Sequence, residues 1–337
     1  MEMITGTLHT VFPMGDASRV GEARRHGAQL AAQCGLDETE AGRLAIVVTE
    51  LATNLVRHAR EGRLLLSARA ARREVEVIAI DRGPGIDDIG RSLGDGYSTG
   101  GTPGTGLGAV RRLAQDFDIH SSVPGGTVVV ARVRSAAAAR SAGARLEASA
   151  VAVAAPGEQV CGDSWAAAIE GDRAALLVAD GLGHGPQAAE ASQAAVDEFA
   201  RDPLGAPRML LERLHARLRA TRGAALTVIQ ADREAGTLRV SGAGNVVGRV
   251  VSGAADRTLL TQHGTAGVTI RTPEETRNEW PPHALVVVCS DGIETRWKPE
   301  LLRPVLGRDP AIVAAVLLRD HLRGRDDATV AVLRRKG

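Results

Sequence analysis

Hydrophobic residues recur with a helical period in two segments near the start of the chain, before the pattern changes to that of strands. Residues 17–33 predict a first helix. A second helix is predicted after Asp37, because Glu40 follows it at the spacing of a capping box. The apolar residues of this second segment fall on one helical face: Leu44, Val48, Leu51, Leu55 and Ala59. The chain is therefore expected to begin with two amphipathic helices.

Strand patterns and one short helix follow. In residues 74–81 apolar and acidic positions alternate, as expected for a strand. Residues 87–103 are polar and rich in Gly, which is typical of a lid or a disordered segment. A short helix is predicted at 109–115. The predicted strands of this half are residues 64–69, 74–81, 117–122 and 127–133, and the last two read as a hairpin.

The second half of the chain consists of short apolar runs separated by turn residues and interrupted by helical segments. Pro186 and Pro207 stand where two helices are expected to begin. The predicted helices are residues 186–200, 207–220 and 310–321. The predicted strands are residues 148–154, 164–169, the run around 176–178, and 225–231, 237–241, 245–251, 284–289 and 330–333.

Length and composition favour two domains. A chain of 337 residues is long for one hydrophobic core. Residues 135–148 are rich in Ala and Arg and poor in large apolar side chains, which is typical of a tether. We therefore expect a first domain at 1–134, a linker at 135–148 and a second domain at 149–337.

Charge and composition exclude several classes of function. The net charge is only +1, from 41 basic and 40 acidic residues, so no basic surplus favours nucleic acid. Aromatic residues make up 2% of the chain, too few for a stacking platform. The three cysteines are isolated, as in proteins of a reducing compartment. No apolar stretch is long enough to span a membrane, and no signal peptide is recognisable. We expect a cytoplasmic protein that binds neither nucleic acid nor membrane.

Three polar motifs stand out in the first half. Glu50 and Asn54 are four residues apart, so they lie one turn above each other at the edge of the apolar helix face. Asp81 closes a strand and is followed by Gly83 and Gly85. The third motif, Gly104-Thr105-Gly106-Leu107-Gly108, opens a helix, where free N–H groups can bind an anion. Its spacing is not that of a Rossmann fingerprint, and no Lys follows as in a P-loop. Taken alone, the Glu50–Asn54 pair is equally compatible with a solvated helix flank.

Together these motifs resemble the three boxes of the GHKL ATPases, and in particular the RsbT-like anti-sigma-factor serine kinases. The resemblance covers nearly all of residues 1–134 and implies the GHKL (Bergerat) α/β sandwich that binds ATP with Mg²⁺. It assigns Asn54 to the Mg²⁺ ion and Glu50 to the attacking nucleophile, as its base or orienting group. Asp81 would bind the adenine amino group. The remaining nucleotide-binding positions are Gly83 and Gly85 beside the base, and Gly104, Thr105, Gly106, Leu107 and Gly108 around the phosphates.

Acidic residues recur at strand ends in the second half. Asp180-Gly181 and Asp291-Gly292 each close a strand, Asp163 opens one, and Asp326-Asp327 precedes the last. Asp-Gly is also a common turn signal, so any one of these sites could be a simple turn. Hard cations prefer several carboxylate and carbonyl oxygens. Acids at four strand ends of one sandwich therefore favour a pair of divalent ions over four unrelated turns.

This half resembles the metal-dependent serine/threonine phosphatases, especially their SpoIIE- and RsbX-like branch, over residues 149 to about 335. The resemblance implies a four-layer αββα sandwich with two Mn²⁺ or Mg²⁺ ions, and hydrolysis of phosphoserine or phosphothreonine without a covalent intermediate. It implies the metal ligands Asp163, Asp180, the Gly181 carbonyl, Asp291 and Asp326. Asp327 remains an alternative to Asp326. No Arg matches the phosphate clamp that some relatives carry near the first strand, so the metals alone are expected to hold the phosphate.

The two resemblances predict a bacterial signalling switch with opposed activities. The kinase half would phosphorylate Ser or Thr on a STAS-type regulator, and the phosphatase half would dephosphorylate the same or a related regulator. The expected setting is a sigma-factor partner-switching pathway or a stressosome. An alternative is that the first half binds ATP or a partner without transferring phosphate, and thereby gates the phosphatase.

Overall fold

The structure is a computed structural model that describes residues 1–6, 8–94, 106–138, 145–253 and 256–336. The chain forms two compact units. The first unit comprises His9–Arg140, and the second unit combines Met1–Leu8 with Ser141–Gly337. Each unit has a buried apolar core. Among the described residues, no helix is long and apolar enough to cross a membrane.

Helices and strands are numbered in chain order through both units. Up to the end of the first unit they are β1 (Glu2–Thr5), β2 (Thr10–Pro13), α1 (Ser18–Gln33), α2 (Glu38–His58), β3 (Arg63–Arg69), β4 (Glu74–Ile80), α3 (Ile89–Ser92), α4 (Gly106–Leu113), β5 (Asp116–Ser122) and β6 (Gly126–Arg134). The second unit continues with β7 (Leu146–Val153), β8 (Asp163–Glu170), β9 (Arg173–Gly181), α5 (Pro186–Phe199), α6 (Pro207–Leu218), β10 (Ala224–Asp232), β11 (Thr237–Ala243), β12 (Val247–Val251), β13 (Asp256–Leu259), β14 (Gly264–Thr265), β15 (Thr269–Ile270), β16 (Thr276–Glu279), β17 (Leu285–Cys289), α7 (Pro310–His321) and β18 (Ala328–Arg335).

Helix α2 begins at the predicted capping box. The Asp37 carboxylate accepts a hydrogen bond from the Glu40 backbone N–H at 2.8 Å, and the Glu40 carboxylate accepts one from the Asp37 N–H at 2.8 Å. These two bonds satisfy helix-end donors that would otherwise lack partners. The cap fixes where α2 starts. Glu50 and Asn54 both lie inside this helix and therefore stand one turn apart, as the sequence predicts.

The first unit is one antiparallel sheet covered by helices on one face. The strand order is β2-β3-β4-β6-β5. Helices α1, α2 and α4 pack on the side of the sheet that carries Val75, Val77 and Val129. Two elements were not predicted: strand β2, and helix α3 within the segment expected to be a loop. Helix α4 begins at Gly106, earlier than the predicted residue 109.

The other face of this sheet holds a cluster of buried charges. Glu76 on β4 has no exposed surface and accepts hydrogen bonds from Arg69 at 2.7 Å and from Arg132 at 2.6 Å. Glu74, equally buried, accepts a bond from Arg134 at 2.7 Å. Burial by itself would raise the pKa of Glu76, but Arg69 and Arg132 hold that pKa well below its usual value of 4.5. The acidic side of the alternation in β4 is therefore an internal ion-pair network.

The second unit is a four-layer αββα sandwich, as predicted. A six-stranded sheet of order β1-β8-β9-β10-β11-β16 faces a five-stranded sheet of order β13-β12-β17-β18-β7. The apolar core lies between the two sheets and includes Trp165, Leu176 and Val286. Helices α5 and α6 cover the six-stranded sheet, and α7 packs on β7 and β18. Strands β13 to β16 were not predicted, because runs of two to four mostly polar residues carry no clear alternation.

The N-terminal strand lies in the second unit, whereas the predicted first domain began at residue 1. Strand β1 pairs with β8 from Glu2↔Ile169 to Thr5↔Ala166. Ile4 is 3% exposed and belongs to the core between the two sheets. The expected linker also ends differently, since β7 already begins at Leu146. The first unit is thus connected at both ends to segments of the second.

We expect Glu76→Gln to destabilise the protein by about 3 kcal/mol at pH 7, because two buried guanidinium groups lose their shared carboxylate. A carboxyl with a lowered pKa stabilises the fold above its unfolded pKa, and this contribution disappears as the pH falls. The difference between variant and unsubstituted chain should therefore shrink below about pH 4.5. Urea unfolding at several pH values measures this difference in the free energy of unfolding.

The matched control is Glu22→Gln, which removes the exposed partner of Arg19 on α1. We expect this change to cost less than about 1 kcal/mol. Equal effects of the two substitutions at pH 7 would contradict the assignment of a strong buried network to Glu76.

Candidate functional sites

The first unit contains a cavity of about 810 Å³ beside helix α2. This volume is within the usual range for a cofactor or small-molecule site. Glu50 and Asn54 line it from one helix, and Asp81 lines it from the end of β4. Gly106 and Leu107, the first residues of α4, border it as well, so N–H groups of a helix N-terminus lie at its edge. The cavity thus brings together residues from all three sequence motifs.

The remaining predicted positions of this site divide into three groups. Gly85 lines the cavity, and the Gly83 backbone N–H donates to the Asp81 carboxylate at 2.6 Å. Gly108 is buried in α4, beside Leu93. Gly104 and Thr105 lie outside the described residues. Sequence reasoning missed four charged residues that line the cavity: Arg57, Asp87, Asp88 and Arg91. Arg57 could have been found, because it follows Asn54 at helical spacing.

This arrangement suits a nucleotide. A carboxylate at Asp81 can accept hydrogen bonds from an amino group on a base. The side chains of Asn54 and Glu50 offer oxygen atoms, which hard cations such as Mg²⁺ bind readily. Helix N-termini favour phosphate groups through their free N–H donors. The fit therefore rests on donors and acceptors of the described residues as well as on the size of the cavity.

The second unit places the predicted acids at neighbouring strand ends. Asp163, which begins β8, is the register partner of Asp180 near the end of β9. Asp291 comes two residues after the end of β17, and Asp326 comes two residues before the start of β18; these two strands are neighbours in the five-stranded sheet. The sandwich thereby gathers acids from both sheets at one edge of its core.

Asp163 is the most deeply buried of the acids proposed as metal ligands. Its Oδ2 accepts a hydrogen bond from the Ser290 hydroxyl at 2.6 Å. Its Oδ1 is buried and has no hydrogen-bond partner in the described structure. Burial raises the pKa of Asp163 to about 7, against the stabilising bond from Ser290. A buried carboxylate oxygen without a partner is costly unless something of positive charge binds it.

Electrostatic repulsion links the other acids. Burial, followed by the carboxylates of Asp163 and Asp291, raises the pKa of Asp180 to about 9. Burial and the carboxylate of Asp326 also raise the pKa of Asp291. Asn245 partly compensates, because its amide donates to the Asp291 carboxylate at 2.7 Å. These carboxylates therefore lie close enough together to disfavour one another's charged forms.

The two consecutive acids before β18 have different surroundings. Asp327 is 3% exposed, and its two carboxylate oxygens accept backbone N–H bonds from Ala155 and Gly162, each at 2.8 Å. Asp326 is less buried, and one of its oxygens accepts the Asp327 N–H at 2.9 Å. Asp327 thus ties the end of β7 to the start of β8, whereas Asp326 is the better candidate for an ion.

The glycines after Asp180 and Asp291 allow close approach of other segments. A Cβ on Gly181 would lie 2.0 Å from the carbonyl oxygen of Ala188 in α5. A Cβ on Gly292 would lie 2.0 Å from the carbonyl oxygen of Asp327. Any side chain at either position would force these segments apart. The Asp-Gly pairs therefore do more than form turns. Their glycines let helix α5 and the Asp326-Asp327 segment pack closely beside the acids.

The residues present fit divalent metal ions. All the proposed donors are oxygens, which Mg²⁺ and Mn²⁺ prefer. Across the described ranges, no three His, Cys, Asp or Glu side chains already enclose a point at metal-binding distance. The buried Oδ1 of Asp163, which has no hydrogen-bond partner in the described structure, is nevertheless a donor that such an ion could use.

Sequence reasoning missed several residues that support the acids. Ser290 and Asn245 bond to Asp163 and Asp291, and Ser290 could have been noticed because it directly precedes the Asp-Gly pair. His184, to which the sequence assigns no role, lies 2.7 Å from the Glu158 carboxylate. His215 accepts a hydrogen bond from the Gly267 N–H at 3.0 Å.

Comparison with protein families agrees with this division. Residues 14–133 match the family of histidine kinase-like ATPase domains, and residues 170–336 match the family of stage II sporulation protein E (SpoIIE). The serine/threonine-protein kinase RsbT of Bacillus subtilis (strain 168) is 35% identical over 111 residues, which cover 32% of this chain and 84% of RsbT. The chain belongs to the RsbT family and carries a SpoIIE phosphatase domain.

Solved structures also resemble the SpoIIE domain. A structure from work on the bacterial stressosome as a modular system adapted to control secondary messenger signalling has a TM-score of 0.53 and 26% identity. The match covers 56% of this chain and 99% of the chain in that structure. RsbX in complex with magnesium has a TM-score of 0.51 and 19% identity, covering 57% of this chain and 96% of its own, and shares the fold. The protein thus joins an RsbT-like domain, which uses a nucleotide, to a phosphatase domain, which uses divalent metal.

We expect Asp180→Asn to raise the melting temperature of the metal-free protein at pH 7, because folding buries a carboxyl group and raises its pKa to about 9, a cost that the neutral amide avoids. A gain of about 1 kcal/mol would correspond to roughly 3 °C in a domain of this size. The same substitution should abolish the stabilisation that Mn²⁺ gives to the unsubstituted chain. Thermal unfolding with and without Mn²⁺ measures both effects.

The control is Asp197→Asn, on the exposed side of α5, which should leave the melting temperature and the Mn²⁺ response unchanged. A full Mn²⁺ response in Asp180→Asn would contradict the assignment of Asp180 to the metal site.

Proposed function

We propose that this chain is a bifunctional switch that phosphorylates and dephosphorylates Ser or Thr on STAS-type regulators. The observation that carries the proposal is the presence of two candidate sites in one chain. One is the cavity lined by Glu50, Asn54 and Asp81, and the other is the acid cluster around Asp163 and Asp180. Opposed activities on one regulator make a switch that can be reset.

In the kinase half, the described residues divide the work of phosphoryl transfer. Asp81 binds the adenine, and Asn54 holds Mg²⁺ on the ATP phosphates. Glu50, one turn before Asn54, accepts or orients the proton of the attacking hydroxyl. Positioning and charge neutralisation account for most of catalysis in this type of reaction. The RsbT relative supports transfer to a protein side chain.

In the phosphatase half, Asp163, Asp180, the Gly181 carbonyl, Asp291 and Asp326 hold two divalent ions, Mn²⁺ or Mg²⁺. Such ions activate water and neutralise phosphoryl oxygens. Ser290 fixes one oxygen of Asp163 by a 2.6 Å hydrogen bond, which leaves the other oxygen for an ion. Asn245 likewise orients Asp291. Asp327 holds the strands together and stays out of the ligand set.

The choice of a STAS-type regulator rests on the relatives. RsbT is a serine/threonine-protein kinase, and one similar structure comes from work on the stressosome. We place this enzyme in the same kind of partner-switching system, with a sigma factor or a stressosome as the regulated assembly. A phosphorylated STAS protein is therefore the substrate to test first.

We expect the full chain to release phosphate from a phosphorylated STAS protein only when Mn²⁺ or Mg²⁺ is present. The assay is run with and without ATP. A change in rate with ATP would mean that nucleotide binding in the RsbT-like domain regulates the phosphatase. No metal-dependent release under any condition would contradict the phosphatase assignment.

We also expect Glu50→Gln to reduce transfer of radiolabelled phosphate from ATP to a STAS protein by about 10²-fold or more, because the proton acceptor is lost. ATP binding should be unchanged, and Glu38→Gln, at the exposed start of α2, should have full activity. If the unsubstituted chain binds ATP but transfers no phosphate to a STAS protein, the first domain is a nucleotide sensor and the kinase assignment fails.

A further inference from the structure

Arg222 lies next to the segment that leaves the acid cluster. It directly precedes Gly223, whose carbonyl oxygen accepts a hydrogen bond from the Leu182 N–H at 3.0 Å. The next residue, Ala224, is the register partner of Gly181. The backbone at Arg222 is thus fixed against the residues that follow Asp180, although Arg222 itself comes from the turn after α6.

The side chain of Arg222 points toward the same segment. A Cβ placed on Gly183 would lie 3.4 Å from the Nη1 atom of Arg222. The Gly183 carbonyl oxygen in turn lies 3.4 Å from a Cβ placed on Gly162, the residue before Asp163. The Arg222 guanidinium and Gly162, the residue before Asp163, therefore both lie beside Gly183. Because Gly183 has no side chain, nothing at that position covers the guanidinium.

Arg222 has no internal role in the described structure. Its side chain is exposed, and within the described ranges it makes no hydrogen bond or ion pair. Arg323, the other arginine beside the cluster, differs in this respect. Burial raises the pKa of Asp291, and the positive charge of Arg323 opposes that rise. Arg323 is engaged with an acid of the cluster, whereas the guanidinium of Arg222 is available to a ligand.

Phosphate chemistry explains what an available guanidinium can do there. A phosphoserine or phosphothreonine brings two negative charges to a site that already concentrates carboxylates. The planar guanidinium can donate two parallel hydrogen bonds to phosphoryl oxygens, which gives both attraction and orientation. The sequence suggested that metals alone hold the phosphate, because no arginine was found near the first strand. Arg222 comes from a different element, the turn after α6.

We propose that Arg222 binds the phosphoryl group of the substrate in the phosphatase domain. This proposal rests on the phosphatase function proposed above. Arg222 approaches from the side of the Asp180–Gly183 segment and donates to oxygens that face away from the acids. It makes the domain selective for phosphate monoesters, and it also binds the product, inorganic phosphate.

The test uses the full chain with saturating Mn²⁺, p-nitrophenyl phosphate as substrate and inorganic phosphate as competing product. We expect Arg222→Ala to raise the inhibition constant of inorganic phosphate and the KM for p-nitrophenyl phosphate at least tenfold. Arg222→Lys should give values between those of the unsubstituted chain and those of Arg222→Ala. It keeps the positive charge but loses the planar guanidinium that can donate two parallel hydrogen bonds. The Mn²⁺ concentration for half-maximal activity should not change in either variant.

Two further variants locate the effect. Arg219→Ala removes an exposed arginine three residues earlier and should change both constants less than twofold, which excludes a general effect of charge. Arg323→Ala tests the other arginine beside the cluster. Unchanged phosphate inhibition in Arg222→Ala, or the same loss in Arg219→Ala, would overturn the proposal. So would a tenfold loss found only in Arg323→Ala. Absence of hydrolysis by the unsubstituted chain would instead contradict the phosphatase function itself.

Discussion

Burial of neighbouring carboxyl groups is the constraint on which the candidate site of the second domain depends. The sandwich brings Asp163, Asp180 and Asp291 to one edge of its core, and burial and neighbouring charge raise the pKa of each. Such a cluster costs least when its carboxyl groups are protonated or when positive charge binds among them. In the proposed function, divalent ions would supply that charge and would also serve hydrolysis.

The first domain uses buried charge in another way. Glu74 and Glu76 are neutralised inside the sheet by arginines from neighbouring strands, so this network needs no ligand. Its candidate functional groups lie on the helix side instead, where Glu50 and Asn54 of α2 line the cavity. The buried acids of the first domain are thus paired with arginines, whereas Asp163 in the second domain keeps a buried oxygen without a partner. Only the second arrangement suggests a bound ion.

Local patterns in the sequence predicted most elements and some of the residues that line the two candidate sites. The capping box fixed the register of α2, and the Asp-Gly pairs marked the strand ends that converge. Contacts between distant segments were beyond such patterns. Strand β1 has four residues, and its partner β8 is far away in the sequence, so nothing local assigns it to the second unit. Ser290, Asn245 and Arg222 likewise gain their roles only when folding brings them beside Asp163, Asp291 and Gly183.

The most direct test of the central claim is a crystal structure of the full chain grown with Mn²⁺, with anomalous diffraction used to locate the metal. We expect two anomalous peaks about 4 Å apart. They should be bound by Asp163, Asp180, the Gly181 carbonyl, Asp291 and Asp326, with Asp327 still on its two backbone N–H groups. Absence of a peak beside Asp180 in a crystal that contains Mn²⁺ would contradict it.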